Sequence, residues 1–436
     1  MSVNSNFTLS HSLLDWFAIP AEGSLVGVAF AVVICYLLYY VNFAVEKPLL
    51  ACRQGAWRDF LTEHLPLIHE HFWPTPWCLD GRLQTVIAFS IRTNMPRVHY
   101  QRETLPLKDG GVISLDWTCK PRRKDQPILL VLPGLTGTSQ SQYVKGYLHN
   151  LRDLDLCCVI FNHRGMGRTE LKTPRTYCGA NSDDLEEALE HIHSLYPEAP
   201  VLANGISLGG MVLGNFLVKR GEAASRYLAA ALVYSVPWNL FVATESLEKP
   251  VFNLLINQSL TMAMRKLFCT FREQLEGDFP WKFDHLMKSK TLREFDDRFT
   301  SLNFGFPGAE EYYKAASLDD KLHKIRVPFL CLTSADDPFL PKKGIPIDRA
   351  NQSSHVALVV TSRGGHVGFL EGLFPYMTFY GDRLLRQYVG FLEGLFPYMT
   401  FYGDRLLRQY VSGVFSNLDK MREIRQEGNQ FVQQSV

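Results

Sequence analysis

Continuous apolar runs, spaced along the chain and cut off by Gly, Pro and Asp, set the pattern of this sequence. Pro127–Leu132, Leu156–Phe161, Pro200–Asn204, Ala229–Ser235, Val327–Thr333 and Val356–Thr361 are short runs of this kind. Runs without polar alternation fit strands covered on both faces. Between them lie segments with helical periodicity: Tyr143–Leu151, Asn181–Leu195 and the stretch from Ser207 to about Arg220. Strands alternating with helices predict a mostly parallel sheet with helices on both faces. Arg102–Leu107 and Val112–Thr118 read as a hairpin about Lys108-Asp109-Gly110-Gly111. Residues 237–316 break the rhythm with Phe-, Leu- and Met-rich helical stretches. Lying between two core strands, they occupy the place of a helical lid.

The flanks differ in pattern. Gly23–Val45 carries no charge and, as a helix, spans about 35 Å, enough for a bilayer core of roughly 30 Å. It reads as a single-pass anchor after a tail of residues 1–22. Lys47, Arg53 and Arg58 follow it and nothing basic precedes it, so the positive-inside rule puts the C-terminal bulk in the cytosol. Residues 46–99 form a lead-in, and the globular domain is expected over 100–412. Residues 367–388 recur unchanged at 389–410. One closing helix is needed, the first copy is placed to supply it, and the second has no assigned position. The polar end, 413–436, is expected to fray from 418 onward.

Composition narrows the field. Net charge is +1 with the signs mixed, so no basic stripe points to nucleic acid. The nine cysteines are irregularly spaced with no C-x-x-C pair, which gives neither a zinc site nor a redox motif. His64, His69 and His71 lack metal-ligand spacing, and Glu170 stands where a third glycine would complete a dinucleotide loop after Gly165 and Gly167. No cofactor and no metal are expected.

The chemistry lies at the strand ends. Gly205-Ile206-Ser207-Leu208-Gly209 is G-x-S-x-G between a strand and a helix. Such a turn lifts a serine Oγ into the open, and its glycines let strand and helix approach. Upstream, Pro133-Gly134-Leu135-Thr136-Gly137 follows a central strand, as an oxyanion loop does. Downstream, Asp336-Asp337-Pro338 and Gly364-Gly365-His366 each end a strand. The chain order Ser, acid, His is that of α/β-hydrolases. Ser207 is the expected nucleophile, His366 the base, Asp337 ahead of Asp336 the acid, and the N–H groups of Leu135 and Leu208 the oxyanion donors.

Residues 60–388 resemble the YheT-like branch of the α/β-hydrolase superfamily, and within it the membrane-anchored phospholipases. The resemblance rests on Phe72–Leu83, Leu132–Gly137, Asn162–Gly167, Gly205–Gly210, Thr291–Phe304, Ser334–Phe339 and Gly364–Gly372. It implies the triad Ser207, Asp337 and His366, type II anchorage in the endoplasmic reticulum or a related endomembrane, and phosphatidylcholines with medium-chain or oxidised acyl groups as substrates. Type II topology opposes the charge-based orientation. Two rivals are an acyltransferase using the same acyl-serine and a catalytically silent hydrolase fold serving as a binding module. The first lacks the His-x4-Asp signature of lipid acyltransferases, and the second should have lost part of the triad.

Overall fold

A computed structural model describes residues 21–93, 95–373 and 401–434. The chain divides into two units, 1–45 and 46–436. In the first, helix α1 (Ala21–Tyr39) runs into a π-helical turn, Tyr40–Ala44. Leu25–Ala44 is long and apolar enough to cross a membrane, and its side chains from Leu25 to Leu38 are exposed.

The second unit is built on nine strands. In chain order its main elements are β1 (Leu49–Ala51), α2 (Ala56–His64), α3 (Gly81–Thr93), β2 (Gln101–Pro106), β3 (Val112–Trp117), β4 (Ile128–Leu132), α4 (Gln142–Leu151), β5 (Cys157–Asn162), α5 (Asp183–Leu195), β6 (Val201–Ile206), α6 (Leu208–Arg220), β7 (Ala230–Tyr234), α7 (Leu240–Leu247), α8 (Phe252–Cys269), β8 (Phe329–Ser334), β9 (Val356–Thr361), α9 (Tyr402–Ser416) and α10 (Leu418–Gln434). The strands lie in the order β1-β9-β8-β7-β6-β4-β5-β3-β2. Pairing is parallel from β5 through β4 and β6 to β9, and antiparallel for β2–β3, β3–β5 and β1–β9.

The continuous apolar runs have a simple cause. Alternate residues of β4 enter opposite cores: Ile128, Leu130 and Leu132 join the layer containing α5 and α6. Leu129 and Val131 join the layer containing α2, α4 and α9. Neither face of the strand meets water, so neither face is polar. Residues 237–316 are helical, with an aromatic cluster of their own around Phe268, Trp281, Phe295 and Phe299.

Three expectations are corrected. The unit begins at Glu46 rather than near Tyr100: β1 adds an edge strand to β9, and α2 buries Trp57, Phe60 and Leu61. The C-terminal tail is helix α10, held through buried Met421 and Ile424. The helix closing the sheet is α9, which lies in the second repeat copy and runs on to Ser416. Residues 374–388 of the first copy, to which this helix was assigned, fall outside the described residues. The first copy supplies Val367–Leu373, immediately after His366.

Space at the helix end explains the choice. Leu406, Leu407, Tyr410, Val411 and Val414 are fully buried. A Cβ on Gly413 would already stand 3.1 Å from the Cβ of His64. Continued at the same register, the first copy would bring Phe391 to that position. A side chain there crowds His64, so the continuation following the second copy fits with less displacement.

The repeat is therefore expected to be dispensable. Leu370 and Phe401 are bridged antiparallel, so their connection needs only a short loop. Excising residues 374–395 leaves the five residues Phe-Pro-Tyr-Met-Thr between Leu373 and Phe401. The shortened protein should match or exceed the parent in thermal midpoint and keep esterase activity. Removing both copies should cause aggregation, since each large apolar side chain of α9 contributes about 1.5–3 kcal/mol by burial. Loss of folding in the single-copy protein, read by circular dichroism and gel filtration, would make the extra copy structural.

Candidate active site

Ser207 sits where β6 turns into α6, at φ 52° and ψ −116°. A side chain in that conformation is strained, and the neighbouring packing holds it. Ser207 N–H donates to Tyr234 O at 2.8 Å, and Met211 N–H donates to Ser207 O at 3.1 Å. A Cβ on Gly209 would collide with the carbonyl oxygens of Leu132 and Pro133. One on Gly205 would stand 2.6 Å from Gly210 Cα. Those two positions thus need glycine for contact distance.

The fold brings the three strand-end residues together. Ser207 Oγ lies 2.9 Å from His366 Nε2, and His366 Nδ1 lies 2.9 Å from Asp337 Oδ2. The network assigns the tautomer: Nδ1–H donates to the carboxylate, leaving Nε2 to accept from the serine. Asp337 is 2 % exposed, and its Oδ1 accepts from Phe339 N–H at 2.7 Å. The Phe339 ring stacks on the imidazole with centroids 3.8 Å apart.

Asp336 faces the other way. Its Oδ1 accepts from Gly365 N–H at 2.9 Å, bracing the loop that carries His366. Burial pushes its carboxyl up to about 6. The adjacent aspartates thus divide the work, one meeting the histidine ring and the other the histidine's loop.

The loop Pro133–Gly137, expected to hold an oxyanion, is held by tyrosines. Gly134 N–H donates to Tyr143 Oη at 2.9 Å, and Thr136 N–H, at φ 57°, donates to Tyr177 Oη at 3.2 Å. Gly137 N–H turns back to Gly134 O at 2.8 Å. The N–H groups of Leu135 and Leu208 have no hydrogen-bond partner among the described residues. Leu208 is the first residue of α6, so the helix dipole adds positive potential beside Ser207.

The sequence reading missed α3. Thr85 Oγ1 accepts from His366 N–H at 2.8 Å, and Gln84 Oε1 accepts from Leu370 N–H at 3.1 Å. Arg92 donates to Val367 O at 3.0 Å and to Asp404 Oδ1 at 2.8 Å. Gln84, Ala88 and Arg92 recur every fourth residue on the buried face of this helix. Two of them are polar, the one trace in the sequence of a helix that carries contacts rather than merely covering a core.

Ser207, His366, Leu135 and Leu208 open onto a cavity of about 780 Å³. Its walls are mainly apolar, with Leu240, Leu247, Ile256, Leu260, Met264 and Phe295 among them. Asp296 also faces it, accepts from Tyr313 Oη at 3.1 Å, and is pushed up to about 7 by burial.

Residues 127–373 match the model of the alpha/beta hydrolase fold. The chain belongs to the α/β-hydrolase family. It is 44% identical to the human phospholipase ABHD3 over 361 residues, spanning 81% of this chain and 87% of that protein. It is 42% identical to the bovine phospholipase ABHD3, over 87% of this chain and 93% of that one. Protein abhd-3.2 of Caenorhabditis elegans is 34% identical over 74% of this chain and 86% of its own length. Membership of the ABHD3 type thus covers most of the chain.

The aspartates can be separated by experiment. Asp337→Asn should lower kcat by a factor on the order of 10³–10⁴, because the amide cannot hold the same imidazole tautomer. Asp336→Asn keeps an oxygen for Gly365 N–H and should keep activity within a few-fold. It also removes a buried carboxyl whose folded-state pKa is raised. That carboxyl favours folding below about pH 4 and loses this contribution as pH rises through about 6. The thermal midpoint of Asp336→Asn relative to the parent should therefore climb across that window. Equal activity losses in the two variants would remove the distinction.

Proposed function

We propose that the protein is a serine hydrolase of membrane lipids, a phospholipase acting on phosphatidylcholines with medium-chain or oxidised acyl groups. The observation carrying this reading is the hydrogen-bonded chain Ser207–His366–Asp337 at the floor of a large, mainly apolar cavity. The enzyme is a carboxylic-ester hydrolase, in keeping with the phospholipase relatives. Finer placement in the YheT-like branch, and single-pass anchorage through Leu25–Ala44 in the endoplasmic reticulum or a related endomembrane, follow from the family resemblance.

The mechanism runs in two acyl-transfer steps. The ester's acyl chain lies in the cavity, beneath the helices of 237–316 acting as a lid, and its carbonyl meets Ser207 Oγ. His366 takes the serine proton as Oγ attacks. Asp337 stabilises the imidazolium. Charge develops on the carbonyl oxygen, and the N–H groups of Leu135 and Leu208 receive it, a contribution of about 3–4 kcal/mol per donor in comparable sites. His366 then protonates the departing lysolipid oxygen, leaving an acyl-serine. Water attacks this intermediate with His366 again as base, freeing the fatty acid.

A fluorophosphonate probe tests the nucleophile directly. Wild type should be labelled and Ser207→Ala should not, with hydrolysis falling by a factor on the order of 10³ or more. Supplying phosphatidylcholine together with an acceptor alcohol should give free fatty acid as the main product. Labelling that survives in Ser207→Ala would remove Ser207 from the chemistry. A dominant new ester would make the protein an acyltransferase.

A further inference from the structure

Cys119 and Cys157 are at the opposite end of the strands from Ser207, and the mechanism uses neither. β3 and β5 pair antiparallel with Trp117 opposite Val159. The pairing continues one step past β3, where Thr118 N–H donates to Cys158 O at 2.9 Å and Cys158 N–H donates to Thr118 Oγ1 at 3.1 Å. The next residues in register are Cys119 and Cys157. Side chains directly opposite each other across an antiparallel pair lie on the same face of the sheet, with Cα separations of about 4.5–5.5 Å. That separation lies within the range a disulfide spans. The two sulfurs are in contact, 2.7 Å apart. Cys158, one residue on, points to the other face and packs with Leu129 and Ile160.

We infer that Cys119 and Cys157 are a disulfide-forming pair, oxidised by a small-molecule disulfide such as oxidised glutathione. Exposure sets the order of events. Cys119 is half-buried, whereas Cys157 is fully buried. Burial and the neighbouring Cys119 push the Cys157 thiol up to about 12, so it is a poor first nucleophile. Cys119 attacks the oxidant, forms a mixed disulfide and releases one glutathione. Cys157 then attacks the Cys119 sulfur and releases the second. Two thiol protons pass to solvent or to the leaving thiolates, and two electrons pass to the oxidant.

The bond would close a loop from 119 to 157 and tie β3 to β5. Three residues before Cys119, Asp116 ties the residues just after the oxyanion loop to the end of β5: it accepts from Ser139 Oγ at 2.6 Å and from Asn162 Nδ2 at 3.0 Å. The disulfide would therefore fasten the edge of the sheet to which those residues are tied. It would act on stability, not on the chemical step.

The experiment uses the full chain in detergent. The protein is incubated with reduced or oxidised glutathione, alkylated, and mapped by peptide mass. Oxidation should remove two hydrogens and yield a Cys119–Cys157 linked peptide. The link should be absent in Cys119→Ser and Cys157→Ser and retained in Cys158→Ser. The thermal midpoint should rise by about 3 °C or more on oxidation of the wild type, as expected for closing a loop of this length in a large domain, with no rise in Cys119→Ser. Recovery of both cysteines alkylated after oxidation would overturn the inference without needing any variant. So would a wild-type disulfide that joins Cys119 to a cysteine other than Cys157, or an unchanged midpoint in the oxidised wild type.

Discussion

The close approach of β6 and α6 at Ser207 is the constraint on which the rest of the structure depends. It forces a non-glycine residue to positive φ, at a cost of about 1–2 kcal/mol. It is not alone. Seven non-glycine residues have positive φ among the described residues, and five of them, Thr136, Ser207, Ser235, Val367 and Phe369, belong to the site or to the loops touching it. Strain concentrated in this way persists only where the surroundings over-determine the backbone. Here each strained loop is tied by hydrogen bonds from a different element. Tyr177 meets Thr136 N–H, Tyr234 O meets Ser207 N–H, and Ser235 Oγ meets Val367 N–H at 3.0 Å.

The histidine loop needs the most support, and it draws it from both ends of the chain. α3 supplies Thr85 and Arg92, while α9 supplies Asp404 as the partner of Arg92. Burial raises the Asp404 carboxyl to about 6, and the Arg92 guanidinium opposes that shift. A buried ion pair of this kind gains little net stability over an apolar pair of the same volume. Its value here is geometric. The guanidinium fork spans Val367 O and Asp404, so the residue after His366 is located relative to the closing helix. Losing either partner leaves a charge in an apolar layer, which is far more costly than the pair is worth.

Much of this was legible in the sequence, for physical reasons that also mark where reading stopped. Strands buried on both faces leave unbroken apolar runs, so the sheet was visible from Ile128 to Thr361. Catalytic groups at strand ends inherit the order of the strands, so Ser207, the aspartate pair and His366 could be selected without coordinates. The choice between Asp336 and Asp337 depended on a turn in which Phe339 N–H caps one carboxylate, and a neighbouring proline was its only trace. α3 was unreadable because its partners lie as many as 312 positions away. β1 is three residues long, too short for any periodicity. α10 has so few apolar positions that composition alone favours a frayed tail, yet it buries Met421 and Ile424 and its Gly428 O accepts from Ser354 Oγ.

The repeat shows how such a fold absorbs an insertion. Excision would leave five residues between Leu373 and Phe401, and the full chain has the 22-residue copy in addition. For a flexible connection, lengthening from five to about 27 residues costs about 1.5 kcal/mol in closure entropy. Two identical segments then compete for one seat on the sheet. They are equal through Val411, which Val389 matches, and differ after it. The second copy continues into Ser412, Gly413 and Val414, which bury a valine and leave space beside His64. The first would continue into Gly390, Phe391 and Leu392, which puts a phenylalanine at the position Gly413 holds. The apolar burial is matched in both continuations, and overpacking at the glycine position costs about 1–3 kcal/mol. This local cost is of the same order as the entropy of the longer connection and opposes it. The closing helix is therefore selected by the residues that follow the repeat, and the site above it is built from the start of one copy and the end of the other.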